Sequence, residues 1–178
     1  AVVVCSVATA RCFYLLHYLW VVSFHKACVL YAGLYVNASL RRARVPLHVP
    51  LHRLIFHDWV KFLPAEYLPY AAQFCLPPAA DPADAEVRRK AFAVAVAHHT
   101  SRMDHHWEYH AGHRMATPAA VEVAVDMVAA EMSYSWRFPK PPWPHFDALV
   151  DKGPTRFHPE SLDTIFRVFG VLGFEKPV

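Results

Sequence analysis

The sequence predicts an all-α protein, and three observations carry that prediction. No segment shows the period-two alternation of β-branched residues that a half-buried strand needs. Prolines and glycines cut the 178 residues into pieces of helical length. Within those pieces apolar side chains recur at spacings of three and four, which gathers them on one helical face. A chain of this size builds one hydrophobic core comfortably and two with difficulty, so residues 1–178 read as a single helical domain. The pattern gives roughly five to six helices.

The first helix is expected over residues 13–42, free of proline, with Gly33 as its weak point and with Pro46 and Pro50 closing the connection after it. The apolar stretch 1–12 before it does not begin with methionine and reads equally as a truncated leader, a processed end or a lead-in to the helix. A second helix, 51–62, places Leu51, Leu54, Ile55 and Trp59 on one buried face, with His57 and Asp58 beside it. Pro64 suits the first turn of a third helix reaching residue 74. Residues 77–83 form a proline- and alanine-rich loop, after which Asp84 caps a fourth helix over 85–99. Thr117 followed by Pro118 opens a fifth helix that ends near residue 136. Pro139, Pro141, Pro142 and Pro144 forbid regular structure, which makes 139–158 an irregular connection. The last helix, 159–170, turns Leu162, Ile165, Phe166 and Phe169 inward.

Composition excludes several classes of function. A 55% hydrophobic and 19% charged chain is far from a disordered one. The net charge of +3 leaves no basic stripe: only Arg41, Arg42 and Arg44 cluster, with no aromatic residue among them, and nucleic acid is not expected as a partner. Cys5, Cys12, Cys28 and Cys75 form neither a C-x-x-C pair nor a disulfide framework, so reduced, buried thiols and a cytoplasmic location are expected. The apolar stretch 13–36 is long enough to span a bilayer, but His17, His25 and Lys26 interrupt it where charge is expensive, which argues against a membrane span. Neither a phosphate-cradling glycine loop nor a dinucleotide fingerprint is present.

The chemistry-bearing residues are histidines, 13 in all. His57-Asp58-x-x-Lys61 sets an imidazole and a carboxylate side by side, able to share one metal or to serve two close ones. On its own the dipeptide is weak, since about 0.6 such pairs arise by chance in this composition. The pairs His98-His99 and His105-His106, the second followed by Trp107 and Glu108, are more unusual. They share one face of a continuous helix or flank a short turn, and either arrangement converges imidazoles. Asp126 and Glu131 are five residues apart and point in different directions; Asp126 lies among valines and alanines, where an inward carboxylate wants a cation or strong hydrogen bonds.

These stretches resemble an uncharacterised family of bacteria and their viruses. The run from His57 to Tyr70 is similar to that family's HDxSKFSPxEFxPY, the run from Ala97 to Tyr109 to its LHHQHRNPHHWEY, and Phe157-His158-Pro159-Glu160-Ser161 to its closing LHPET. Val60, Leu63 and Met103-Asp104 depart from the pattern, and the family's EMxADW is read here as Asp126-Met127-Val128-Ala129-Ala130-Glu131, with alanine at the aspartate's position. The family in turn resembles a divergent branch of the HD superfamily, whose members hold one or two metals with a first-helix histidine, a His-Asp pair, further histidines and a late aspartate.

That resemblance implies one or two divalent ions held by His25, His57, Asp58 and Asp126, with His98, His99, His105 and His106 supplying further ligands and Glu131 as the alternative late acid. It implies a metal-dependent phosphohydrolase acting on a nucleotide or another small phosphate ester. A di-iron oxygenase and a metal-binding protein without turnover are the alternatives. Lys61 then either neutralises phosphate charge or pairs with Glu66 or Glu108, and those two glutamates are either the general acid and base or the groups that orient a ligand histidine.

Overall fold

Three helices of the computed structural model begin on a proline, at Pro64, Pro82 and Pro159, where the missing N–H would have had no helical partner in any case. The structure describes residues 2–135 and 143–174, with side chains over 13–134, 147–148 and 151–174. In chain order the helices are α1 (Val2–Arg42), α2 (Leu51–Phe56), α3 (Pro64–Cys75), α4 (Pro82–Thr100), α5 (Trp107–His110), α6 (Thr117–Ser135), α7 (Trp143–Arg156) and α8 (Pro159–Val171). A 3₁₀ turn, Trp59–Phe62, follows α2, and no strand occurs among the described residues. The protein is all-α, with six substantial helices and two short ones.

Four expectations need correction. The second helix does not run to residue 62: it stops at Phe56, and Asp58 takes up a left-handed conformation (φ 52°, ψ 26°) before the 3₁₀ turn. Aspartate is among the few residues that accept this region cheaply. The break turns Val60 inward and leaves Leu51 and Trp59 54% and 49% exposed, so of the expected face only Leu54 is buried. The fourth helix starts earlier, at Pro82, because Asp81 rather than Asp84 is the cap, its carboxylate accepting from Ala83 N–H at 2.9 Å. The connection 139–158 is not irregular throughout: Trp143–Arg156 is helical, with Pro144 in the first turn, where proline is tolerated, and Pro154 inside the helix. Pro139, Pro141 and Pro142 lie outside the described residues. The first helix begins at Val2 rather than Phe13.

The chain forms two compact units, one of residues 1–24 and 58–102 and the other of 25–57 and 103–178. In the first unit α3 packs on α4, and Tyr18, Val22, Tyr70, Ala71 and Ala95 form the core. Its aromatic rings meet edge to face, Tyr18 with Tyr67 at 5.1 Å and Tyr70 with Phe92 at 5.0 Å between centroids. The Tyr67 hydroxyl donates to the Leu15 carbonyl at 2.5 Å.

In the second unit α6 packs on α8, and nearly every α6 residue from Ala119 to Ala129 is buried. Ile165, Val168 and Phe169 of α8 and Val29, Ala32, Val36 and Leu40 of α1 are also buried in this unit. The Asn37 side chain brackets the Val49 backbone, donating to its carbonyl at 2.8 Å and accepting from its N–H at 2.9 Å. The Ser161 hydroxyl accepts from Met115 N–H at 2.9 Å.

Residues 13–42 of α1 are long and apolar enough to cross a membrane by length and composition, with mean hydropathy 1.4 in the most apolar window. Yet Lys26, near the middle of that stretch, donates to the carbonyls of Ile55 and His57 at 2.9 and 2.6 Å. Cys28 and Cys75 are free thiols.

Candidate metal centre

The second unit builds its site around the end of α2. Because Asp58 turns left-handed, α2 ends with open carbonyls, and the Lys26 ammonium takes up two of them, those of Ile55 and His57. The backbone of His57 is thereby anchored to α1 one residue from His25. The His57 side chain is fully buried, and α6 presents two carboxylates to it from positions one turn apart, Glu122 and Asp126. His57 Nδ1 lies 2.9 Å from Glu122 Oε1, and His57 Nε2 lies 3.4 Å from Asp126 Oδ1. His25 Nε2 approaches the same Asp126 oxygen at 3.1 Å.

A neutral imidazole carries one N–H and a protonated one two, so a ring that faces a carboxylate at both nitrogens is satisfied either by protonation or, in the neutral form, by a metal ion on one side. The short contact on Nδ1 suits an N–H donated to Glu122, which leaves the Nε2 lone pair facing Asp126. Two ligand bonds of roughly 2.1 Å opened to a tetrahedral angle place their donor atoms about 3.4 Å apart. The spacings of 3.1 and 3.4 Å from the Asp126 oxygen to His25 and His57 are those of hydrogen-bonded pairs and also fit that edge. Burial pushes the Asp126 carboxyl up, but the charge of His57 and hydrogen bonding by His25 and His57 outweigh it and hold the group well below the ordinary range.

The surroundings fix the Glu122 end. Its second oxygen accepts from Arg53 Nε at 2.6 Å, and the same guanidinium grips Asp104, with NH1 on Oδ2 at 3.0 Å and NH2 on Oδ1. His105 stacks against His57 with centroids 4.5 Å apart, and its Nδ1 is 3.5 Å from Glu122 Oε1. Donor atoms of His57, His105 and Glu122 all lie within 4.8 Å of one another. His106 follows, its ring 4.5 Å from that of His105.

The first unit repeats the arrangement with other residues. His99 is buried, with Nδ1 3.0 Å from Glu66 Oε2 and Nε2 3.2 Å from Asp58 Oδ1. Glu66, fully buried, also takes His98 Nδ1 at 2.7 Å on its other oxygen. Asp58 Oδ2 meets Lys61 Nζ at 2.5 Å, and that ammonium lies 5.7 Å from the centre of the Tyr70 ring. Burial pushes the Tyr70 phenol up to about 12, with Lys61 pulling it down and Glu66 and Asp58 adding to the rise.

The expected residues thus divide. The second unit holds His25, His57, His105, His106 and Asp126; the first holds Asp58, Lys61, Glu66, His98 and His99. Lys61 pairs with Asp58, and Glu66 orients two histidines. Glu108 is exposed on α5. Glu131 is buried on α6, but five residues past Asp126 it points about 140° away. Glu122, Arg53 and Asp104 did not stand out in the sequence. The signal for Glu122 was present: it lies in the same apolar stretch as Asp126, at the spacing that puts both on one face.

The model of one family, described as a family of unknown function (DUF5662), matches residues 16–169. No curated protein and no solved structure matches the chain.

Proposed function

The chain belongs to that family of unknown function, and from this premise we propose that it is a metal-dependent phosphohydrolase acting on a small phosphate ester. One observation carries the reading: the Nε2 atoms of His25 and His57 stand at 3.1 and 3.4 Å from a single oxygen of Asp126, the spacing of ligands around one divalent ion. His25, His57 and Asp126 are its ligands, with His105 beside them. In the first unit His99 Nε2 and Asp58 Oδ1, 3.2 Å apart, form a second donor pair. The resemblance of these stretches to the HD superfamily supports the same assignment.

The chemistry that a bound divalent ion supplies is to lower the pKa of a water towards neutrality and to polarise a phosphoryl oxygen. The protein's own residues hold the geometry. With a metal bound, Glu122 would hold the proton of His57 on Nδ1, so that Nε2 can serve as a ligand, and Arg53 holds Glu122 in place. Glu66 does the same for His98 and His99. Tyr70, neutral at physiological pH, donates no charge to the Lys61 and Asp58 pair.

The test is metal analysis of the purified protein beside His57→Ala, Asp126→Asn and Asp58→Ala, with circular dichroism to show that each folds, followed by a phosphate ester panel in manganese, magnesium and cobalt. The expected result is bound metal in the wild type, its loss in folded His57→Ala and Asp126→Asn, and ester hydrolysis that follows metal content. Unchanged metal in both folded variants overturns the site. Bound iron with oxygen uptake and no hydrolysis overturns the reaction.

A further inference from the structure

The second unit contains a cavity of about 270 Å³ whose lining includes His105, His106 and Asp126 together with Trp107, Met127 and Arg156. Its walls are chemically unequal. Asp126 and His105 belong to the metal centre, His106 adjoins it, Met127 is apolar, and Arg156, the last residue of α7, sets its guanidinium 5.4 Å from the centre of the Trp107 ring. Among the described residues no carboxylate is paired with Arg156. Stacking over an indole positions a guanidinium while leaving its N–H fork available in the ring plane, the geometry that recognises a phosphoryl group in two places at once.

We infer that this cavity is the substrate pocket and that Arg156 is its anion-binding residue, taking a phosphate monoester whose organic part is a single ring or a short apolar chain. The inference rests on the metal-centre reading for the far end of the pocket, where His105, His106 and Asp126 lie. Charge decides the class: a guanidinium on one wall and a divalent ion at the other end together neutralise a dianion better than a singly charged carboxylate. Size decides the rest. The cavity lies just below the roughly 300–1,000 Å³ of ordinary ligand pockets, a size that suits a single ring or a short chain. Trp107 and Met127 give the organic group an apolar surface.

The experiment is calorimetric titration of the full chain with phenylphosphonate, a dianion that hydrolysis cannot consume, using manganese-loaded and EDTA-treated protein, with benzoate as the singly charged control. Arg156→Gln and Arg156→Lys are measured alongside, and metal content is determined for every sample. The expected result is at least about tenfold weaker phenylphosphonate binding in Arg156→Gln, partial recovery in Arg156→Lys, wild-type metal content in both, and weak benzoate binding. The inference is overturned if Arg156→Gln binds as tightly as the wild type, if benzoate matches phenylphosphonate, if neither wild-type sample binds the probe, or if Arg156→Gln loses its metal. A wild type that holds no metal but still binds phenylphosphonate through Arg156 sinks the metal-centre reading and leaves the pocket assignment standing.

Discussion

Glu122 and Asp126 stand one turn apart on α6 and face the two nitrogens of a single imidazole, that of His57, at 2.9 and 3.4 Å. The shorter contact belongs to the residue that also receives Arg53, so Glu122 is the fixed end and Asp126 the receptive one. Removing the charge from Glu122 while keeping its shape should therefore act on metal affinity through His57. For Glu122→Gln we expect affinity about 10- to 100-fold weaker in a competition titration with a metal-binding dye. Stability should fall as well, because Arg53 keeps only Asp104 as a charged partner. Wild-type affinity in a destabilised Glu122→Gln protein would assign Glu122 to holding Arg53 alone.

Gly33 sits where α1 meets Leu54. A Cβ built there falls 2.4 and 2.5 Å from the two Leu54 methyl carbons and 2.9 Å from its Cγ. Helix propensity favours alanine over glycine by about 1 kcal/mol. Leu54 is buried and has little room to yield, and overpacking of this kind costs about 1–3 kcal/mol. Gly33→Ala should therefore lower stability in urea unfolding, against the propensity rule. In a Leu54→Ala background the same substitution should raise it, because the obstructing methyls are gone. A stabilising Gly33→Ala in the wild-type background contradicts the packing described here.

Asp104 gives a prediction for acid. Burial raises its carboxyl, but the hydrogen bonds and charge of Arg53 lower it further, so the folded group titrates below its ordinary value. A carboxyl depressed on folding adds stability above its unfolded pKa, about 3.9, and loses that contribution as pH falls through the folded value. Asp104→Asn should be less stable than the wild type at pH 7, and the gap should close as unfolding is repeated towards pH 3. A gap of constant size over that range would show that the Arg53 pairing contributes nothing through charge.

What the sequence disclosed depended on how local each signal was. The all-α class and the extents of α3, α6 and α8 were legible because prolines and apolar periodicity act within a few residues. Asp126 was legible because a carboxylate among valines demands a partner. Glu122 answers the same demand with partners 65 and 69 residues away in the chain, and nothing local names them. The break after α2 was hidden because the apolar spacing of Leu51, Leu54, Ile55 and Trp59 continues across it, while the decision is made by one residue's backbone. Helix α7 was hidden because prolines that exclude a helix interior are tolerated in its first turn.

That one residue, Asp58, combines a backbone role with a side-chain role, and three variants separate them. Its φ of 52° strains any residue with a Cβ, least for Asn and Asp, by about 1–2 kcal/mol relative to glycine for an ordinary side chain. Its carboxylate meets Lys61 Nζ at 2.5 Å and His99 Nε2 at 3.2 Å within the first unit, where both histidine and aspartate are buried. Asparagine keeps the backbone preference and removes the charge; glycine relieves the backbone and removes the side chain; alanine removes the side chain and keeps the strain. Urea unfolding should rank stability as Asp58, then Asn, then Gly, then Ala, with the Gly-to-Ala step near 1 kcal/mol reporting the left-handed turn alone. If alanine and glycine prove equal, the chain passes Asp58 without a left-handed residue. The 3₁₀ turn that carries Val60 inward would then lose its cause.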